Sequence, residues 1–308
     1  MPTNAPNPWV TTILSAHSHL ALPLQEPLNP LAPVYTQDAP VYRAAKEACT
    51  ALGFIEIDAE CVARAWQAQA DRTGHFDPAV WPCAAQDFGM QPLPRAQAFA
   101  ACPQSLGLYA VLPDAVWVGR MARAGVSTVQ LRFKSDDPSA IEWEVRAAVK
   151  AVEGTSAKLF INDHWQAALR ASAFGVHLGQ EDLASADLQA IRTADMRLGI
   201  SSHGYAEMLR ADAHSPSYIA LGAVFPTTLK RMATPPQGVA RLAAYVRLMQ
   251  AYPLVAIGGI DPVNLPQVLA TGVGSVAMVR TLVAAQSPEA MAMGLQSTIQ
   301  VAVLCDSI

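Results

Sequence analysis

The chain predicts an α/β protein, a (β/α)8 barrel with an N-terminal, proline-rich and partly helical extension. Three observations lead there. From Leu106 onward, eight short apolar runs alternate with eight amphipathic stretches within about 200 residues, the count that closes a barrel. Each run stops abruptly at glycine or polar residues, as strands entering loops do. Composition also shifts near residue 105: the first 104 residues hold 13 of the 23 prolines but only 3 of the 18 glycines. The expected division is therefore 1–104 for the extension and 105–308 for the barrel. A doubly wound open sheet shares the alternation, because periodicity alone does not establish closure.

In chain order, the prolines up to about Pro40 argue against long helices and predict an extended arm. His17 and His19 stand two apart with no third ligand nearby, a pattern more often incidental than metal-binding. Val41 to about Ala70 reads as helical, with one helix ending at Gly53 and Asp58 as N-cap of Cys61 to Trp66. Phe76 to Pro103 reads as irregular structure, and nothing in this region carries recognisable chemistry.

The barrel begins with Leu108 to Leu112, followed by a helix capped by Asp114 and stopped at Gly125. Thr128 to Phe133 is the second strand, and its helix opens on Asp137-Pro138. The next strands are Leu159 to Ile161, Val176 to Gly179, Arg197 to Ser202 and Tyr218 to Phe225. A polar loop, Pro226 to Gln237, precedes the helix Val239 to Ala251. Leu254 to Ile260 is the seventh strand, with Asp261-Pro262 starting its helix; Ser275 to Val279 is the eighth, and a helix from Pro288 to about Val303 closes the chain.

The 308 residues are 52% apolar, enough for a large core, and carry a net charge of −4. With a pI near 6.0, the chain is not a bulk nucleic-acid or anionic-membrane binder. Five cysteines, Cys49, Cys61, Cys83, Cys102 and Cys305, show no C-x-x-C spacing and suggest reduced thiols rather than disulfides or zinc. The N-terminus has neither a basic n-region nor an apolar h-region, and no run approaches a membrane span. The expectation is a soluble cytoplasmic protein; homo-oligomer formation is left open.

Reactive groups in a barrel belong at the C-terminal strand ends. Strand two delivers Gln130, Arg132 and Lys134, whose spacing by two puts them on one face of an extended strand. Strand three delivers Asn162 and Asp163, strand four Gln180 and Asp182, and strand five Ser201 and His203. The loop after strand six supplies Thr227, Thr228 and Lys230; strand seven ends in Gly258-Gly259 and strand eight at Val279-Arg280. Two carboxylates at one rim, Asp163 and Asp182, suit a Mg²⁺ whose shell is completed by phosphates. Each piece also has a plain structural reading. Asp163, Asp182 and Asp261 precede helices and would serve as N-caps, Arg132 and Lys134 as a salt-bridged strand end, His177 as an alternating barrel residue, and Gly258-Gly259 as a tight turn.

Taken together, six stretches in this order resemble the thiamine phosphate synthase family: Gln130-Leu-Arg-Phe-Lys134, Ile161-Asn-Asp163, Gly175-Val-His-Leu-Gly-Gln-Glu-Asp182, Gly199-Ile-Ser-Ser-His203, Phe225-Pro-Thr-Thr-Leu-Lys230 and Ala256-Ile-Gly-Gly-Ile260. The resemblance covers roughly residues 106–300. It implies two small-molecule substrates, an aminopyrimidine methyl diphosphate and a thiazole phosphate, joined with Mg²⁺ to give thiamine phosphate and pyrophosphate. Carried over by position, Gln130, Arg132, Lys134, Asn162, Ser201 and Lys230 would bind the pyrimidine diphosphate. Among these, Arg132, Lys134, Ser201 and Lys230 would be catalytic, and Asp163 and Asp182 would hold the metal. Thr227, Thr228, Leu229, Gly259, Val279 and Arg280 would surround the thiazole phosphate. The implied mechanism is dissociative and needs no protein nucleophile. Leu229 departs from the family, which usually has a threonine there. Two alternatives stand beside this reading: a related thiazole tautomerase using His203 for proton transfer, and a non-catalytic phosphate-ligand sensor. The Pro226 to Gln237 loop is expected to close as a lid.

Overall fold

The computed structural model describes residues 7–22, 33–227 and 234–305. They form two compact units. One comprises Met1–Leu93 with Gly204–Ala213, the other Pro94–His203 with His214–Ile308.

In the first unit the expected extended arm is in part a helix, α1 (Pro8–Ala16). Proline does not prevent it, because Pro8 lies in the first turn, where its missing N–H costs nothing, and the Asn7 side chain accepts from Trp9 N. Two helices follow, α2 (Pro40–Ala51) and α3 (Glu56–Thr73). Asp58 is not the N-cap expected of it. It lies inside the first turn of α3, buried, and accepts from Ala206 N. His17 is buried against Trp66 and Trp81, with Nε2 within hydrogen-bond distance of Pro78 O.

The most costly group in this unit is Lys46, whose side chain is wholly buried on α2. Its Nζ reaches Glu60 Oε2 and Glu56 Oε1, each at 2.7 Å. Glu60 also accepts from Thr36, Tyr42 and Arg64. Burial pushes the Glu60 carboxyl up, but the hydrogen bonds from Lys46, Thr36, Tyr42 and Arg64 outweigh it and hold the pKa down at about 2. Glu60→Gln leaves the buried Lys46 with only the more exposed Glu56 carboxylate as an ionic partner, so it is expected to destabilise this unit by roughly 2 kcal/mol at neutral pH. Because the folded pKa is depressed, this contribution is complete above the ordinary value of 4.5 and is lost as pH falls towards about 2. Urea unfolding followed by tryptophan fluorescence checks both points. A wild-type advantage that does not shrink across that window would remove the ion pair as its source.

In the second unit eight parallel strands close into a barrel in sequential order: β1 (Gly107–Leu112), β2 (Thr128–Leu131), β3 (Lys158–Asn162), β4 (Gly175–Leu178), β5 (Arg197–Ser202), β6 (Tyr218–Leu221), β7 (Leu254–Ile257) and β8 (Ser275–Met278). The β1–β8 pairing, Tyr109 opposite Ala277, closes it and eliminates the open sheet. Between strands run α4 (Ala115–Arg123), α5 (Pro138–Val152), α6 (Trp165–Arg170), α7 (Leu188–Thr193), α9 (Gly238–Met249) and α10 (Leu265–Leu269), with α11 (Arg280–Val283) and α12 (Pro288–Cys305) after β8. The remaining helix in chain order, α8 (Tyr205–Ala213), lies within the stretch grouped with the first unit. The expected caps Asp114 and Asp137 accept from Trp117 N and Ser139 N.

Below the rim the barrel is filled by Tyr109, Val111, Phe160, Tyr218, Ala220, Val255 and Ala277. Two glycines make room for the large rings. A Cβ on Gly199 would lie 2.1 Å from Tyr218 Cζ, and one on Gly175 would lie 2.5 Å from Phe160 Cε1. The N-terminal strand ends are sealed by residues before β1. Ser217 Oγ donates to Ala100 O, Ser105 Oγ to Gly274 O, and Leu106 N to Ser275 Oγ. These bonds attach the stretch from Pro94 to Leu106 to the barrel.

Candidate active site

The polar rim is built where strands lose their partners. β1 ends at Leu112, opposite Leu131, so β2 has no ladder beyond that pair. Arg132 and Lys134, expected on a strand face, therefore lie on the loop towards α5, with Arg132 N still donating to Leu112 O at 2.7 Å. Arg132 is half-buried, and among the described residues no carboxylate pairs with it.

Asp163 follows β3 directly. A three-residue turn closed by His164 N donating to Asn162 O holds it at φ +62°, a strained conformation that aspartate tolerates better than most residues. It is not a helix cap; His164 holds that position for α6. Its Oδ2 instead accepts from Lys134 Nζ at 2.6 Å, across the gap between two loops. Asp182 is not a cap either. Its Oδ2 turns back to accept from Gly179 N at 3.0 Å, and Glu181 precedes the short helical turn that contains Asp182. Burial, reinforced by the nearby negative charge of Asp163, pushes the Asp182 carboxyl above the ordinary carboxylate range; the Gly179 N–H and the Lys134 charge oppose the rise. The fold thus places two carboxylates close enough to repel each other. Two hard oxygen donors under mutual repulsion fit a divalent cation that keeps water and phosphate as its other ligands. Among the described residues no group of three or more His, Cys, Asp or Glu side chains is gathered for a metal, so the pair by itself is an incomplete shell.

A second set of groups meets inside the mouth. Asn162 is buried and stands in register with His177. His177 Nε2 lies 2.8 Å from Ser201 Oγ, and Gln180 Nε2 donates to Ser201 O at 2.7 Å. Gln130 Nε2 donates to Tyr109 Oη at 3.1 Å, Tyr109 Oη lies 2.7 Å from Tyr218 Oη, and Tyr218 Oη lies 2.7 Å from His177 Nδ1. The sequence reading included Gln130 and Ser201, treated His177 as packing and passed over both tyrosines. One signal was available: a tyrosine on an inward strand position needs a buried partner for its hydroxyl.

The third set lies after β6, β7 and β8. Gly258 and Gly259 have φ +105° and +66°. A Cβ on Gly258 would lie 2.6 Å from Ala223 Cα, and one on Gly259 would lie 2.6 Å from Pro226 O. The tight-turn reading is therefore correct as far as it goes, since the loop after β6 crosses directly over this turn. Thr281 Oγ1 donates to Ile260 O, tying the start of α11, beside Val279 and Arg280, to the same place. Asp261 is not at a helix start. It binds Val263 N and Asn264 N in a turn, and α10 begins only at Leu265. Thr227 precedes the undescribed stretch; Thr228, Leu229 and Lys230, and with them most of the expected lid, lie outside the described residues.

The Thiamine monophosphate synthase family pattern matches residues 109–282, more than half of the chain and all three sets of rim residues in the described structure. This chain belongs to that family. Among relatives of the thiamine monophosphate synthase family, the thiamine-phosphate synthase of Neisseria meningitidis serogroup B is 50% identical over 199 residues, 65% of this chain and 97% of that protein. The thiamine-phosphate synthase of Yersinia pestis (strain Pestoides F) is 50% identical over 184 residues, 60% of this chain and 86% of that protein. A solved structure, the thiamine phosphate pyrophosphorylase from Pyrococcus furiosus, superposes with a TM-score of 0.58 at 26% identity, covering 64% of this chain and 97% of that one.

Proposed function

We propose that the barrel condenses an aminopyrimidine methyl diphosphate with a thiazole phosphate, forming thiamine phosphate and releasing pyrophosphate. The observation that carries the reading is the rim cluster in which Lys134 meets Asp163 beside the partly buried Asp182, whose carboxyl is pushed up first by burial and then by the Asp163 charge. An ion pair as exposed as Lys134–Asp163 contributes at most about 1 kcal/mol to stability, so folding alone gives little reason for it. A site for polyphosphate and cation gives a better one.

In this reading Gln130, Asn162 and Ser201 hold the pyrimidine, and Arg132, Lys134 and Lys230 hold its diphosphate. Thr227, Thr228, Leu229, Gly259, Val279 and Arg280 enclose the thiazole phosphate. Asp163 and Asp182 would hold Mg²⁺, which when bound neutralises part of the charge of the diphosphate. The C–O bond to the diphosphate breaks with its electron pair leaving on oxygen, and in this reading Arg132 and Lys134 would receive that charge. The aminopyrimidine carries the cation left on the methylene carbon. The thiazole nitrogen, positioned by its phosphate tail, donates its lone pair to that carbon; positioning supplies much of the rate. No helix of the described structure is long and apolar enough to cross a membrane. A cytoplasmic setting, where thiols such as Cys61, Cys83 and Cys102 stay reduced, fits this reading.

The direct test gives purified full-length protein both substrates and Mg²⁺, beside a sample with the metal chelated. Thiamine phosphate that forms only with metal supports the reading, and folded protein that makes none overturns it. Leu229 offers a finer check. Leu229→Thr is expected to lower KM for the thiazole phosphate about five-fold, the worth of one neutral hydrogen bond of about 1 kcal/mol. An unchanged KM would mean that no hydroxyl is missing there.

A further inference from the structure

Five side chains from five strands form one continuous hydrogen-bonded line through the barrel: Gln130, Tyr109, Tyr218, His177 and Ser201. The first four are buried, and Ser201 is half-buried at the mouth. The imidazole of His177 lies nearly parallel to the Tyr218 ring, 22° from coplanar. Gly199 supplies the space that lets Tyr218 reach this position.

Such a line has a direction, because each hydroxyl owns a single proton. With Gln130 donating through Nε2 to Tyr109, the arrangement that pairs every hydroxyl proton within this line sends the Tyr109 proton to Tyr218 and the Tyr218 proton to His177 Nδ1. His177 then carries its proton on Nε2 and donates to Ser201 Oγ. The Ser201 proton is left for an acceptor at the mouth, and Gln130 retains Oε1 for a donor. With the Gln130 amide held as it is, the opposite direction leaves the Tyr109 proton buried without an acceptor in this line, which is unfavourable.

We propose that Tyr109, Tyr218 and His177 act as a positioning relay that couples Gln130 to Ser201, so that the site presents one acceptor and one donor together to the amino and ring-nitrogen edge of the pyrimidine. This rests on the reading that Gln130 and Ser201 meet that substrate. The amino group donates and the adjacent ring nitrogen accepts, which matches the pair. A 4-oxo analogue, with a carbonyl and a ring N–H, has the opposite pattern and requires the whole line to reverse. Burial drives the ionisation of both tyrosine hydroxyls upward, so Tyr109 and Tyr218 keep their protons at neutral pH.

Tyr218→Phe keeps the ring and removes the link. In the wild type, kcat/KM for the aminopyrimidine diphosphate is expected to exceed that for its 4-oxo analogue by about 10³-fold or more, because the wrong pattern leaves buried groups unpaired. In Tyr218→Phe that ratio is expected to fall at least about ten-fold, with KM for the thiazole phosphate unchanged. His177→Gln, whose amide offers both a donor and an acceptor, should retain more of the ratio than His177→Phe. A ratio unchanged in Tyr218→Phe, or a uniform loss for both analogues, would overturn the relay and leave only a packing role. A second readout needs no turnover. The ¹⁵N shifts of His177, assigned by comparison with His177→Gln, should report the Nε2–H tautomer, and the Nδ1–H tautomer would overturn the relay. A wild type that makes no thiamine phosphate, yet shows the expected tautomer, would defeat the functional reading while the line itself stands.

Discussion

Asp163→Asn is expected to lower kcat/KM by about 10²–10³-fold, or roughly 3–4 kcal/mol of transition-state stabilisation, and to raise the Mg²⁺ concentration needed for half-maximal rate. Asparagine is the informative replacement because the backbone at this position has φ +62°. It tolerates that conformation as aspartate does, whereas alanine would add strain to the loss of charge. The substitution also releases Lys134 from its partner, 2.6 Å away in the native protein. The neighbouring carboxylate responds in a defined direction. Asp182 titrates above its ordinary range first because it is buried and then because Asp163 is charged, so neutralising Asp163 brings it back down. Protons compete with metal for a carboxylate, and the wild type should therefore lose Mg²⁺ affinity on acidification at a higher pH than the variant does. The linkage to stability has the matching sign. A carboxylate with a raised folded pKa binds more protons in the native state, so stability falls as pH rises through that interval, and the cost persists at neutral pH. A bound cation offsets this cost. Mg²⁺ should accordingly raise the melting temperature of the wild type more than that of Asp163→Asn. Equal Mg²⁺ dependence of rate and of melting temperature in the two proteins would remove Asp163 from the metal site.

Arg132→Ala is expected to reduce kcat by about 10³-fold while leaving the melting temperature nearly unchanged. The guanidinium is half-buried on a loop, and among the described residues no carboxylate neutralises it. Its removal therefore breaks no ion pair of the described protein. On the proposed reading it would remove charge facing the departing pyrophosphate, which gains negative charge only as the C–O bond breaks, so the loss is expected mainly in kcat. Arg132→Lys should recover part of the rate, since it restores the charge without the planar fork. Steady-state kinetics with saturating thiazole phosphate separate the cases. A loss confined to KM would reduce Arg132 to ground-state binding, and full activity would exclude it from the site.

Particular residues mark how far the sequence reading reached. Asp163 and Asp182 were legible as rim residues because they follow short apolar runs, and Gln130 and Ser201 because they are polar residues near the C-terminal ends of such runs; strand ends are local features. Arg132 and Lys134 were legible as rim residues, but their backbone was not. Strand length depends on a partner, and β1 stops opposite Leu131. The helix α1 was missed because the proline count was read without the position of Pro8 in its first turn. The caps expected of Asp58 and Asp163 failed for a common reason. Both carboxylates bind groups distant in the chain, Ala206 N and Lys134 Nζ, which no local pattern reveals.

By itself the sequence determined the class of fold and the order of the strands. Short alternating β and α segments leave parallel neighbours joined by right-handed crossovers as the economical arrangement. It also indicated that Asn162, Asp163, Gln180 and Asp182 stand near the C-terminal ends of their strands. Closure was decided only in three dimensions, through the pairing of β1 with β8. Closure brings Tyr109 of β1 to Tyr218 of β6, residues 109 positions apart, so the direction of the hydrogen bonds through them is a property of the barrel rather than of any strand. The repulsion between Asp163 and Asp182 arises the same way. Each carboxylate is placed by its own loop, but its ionisation is set by burial and by the charge beside it, and both depend on how separate loops pack.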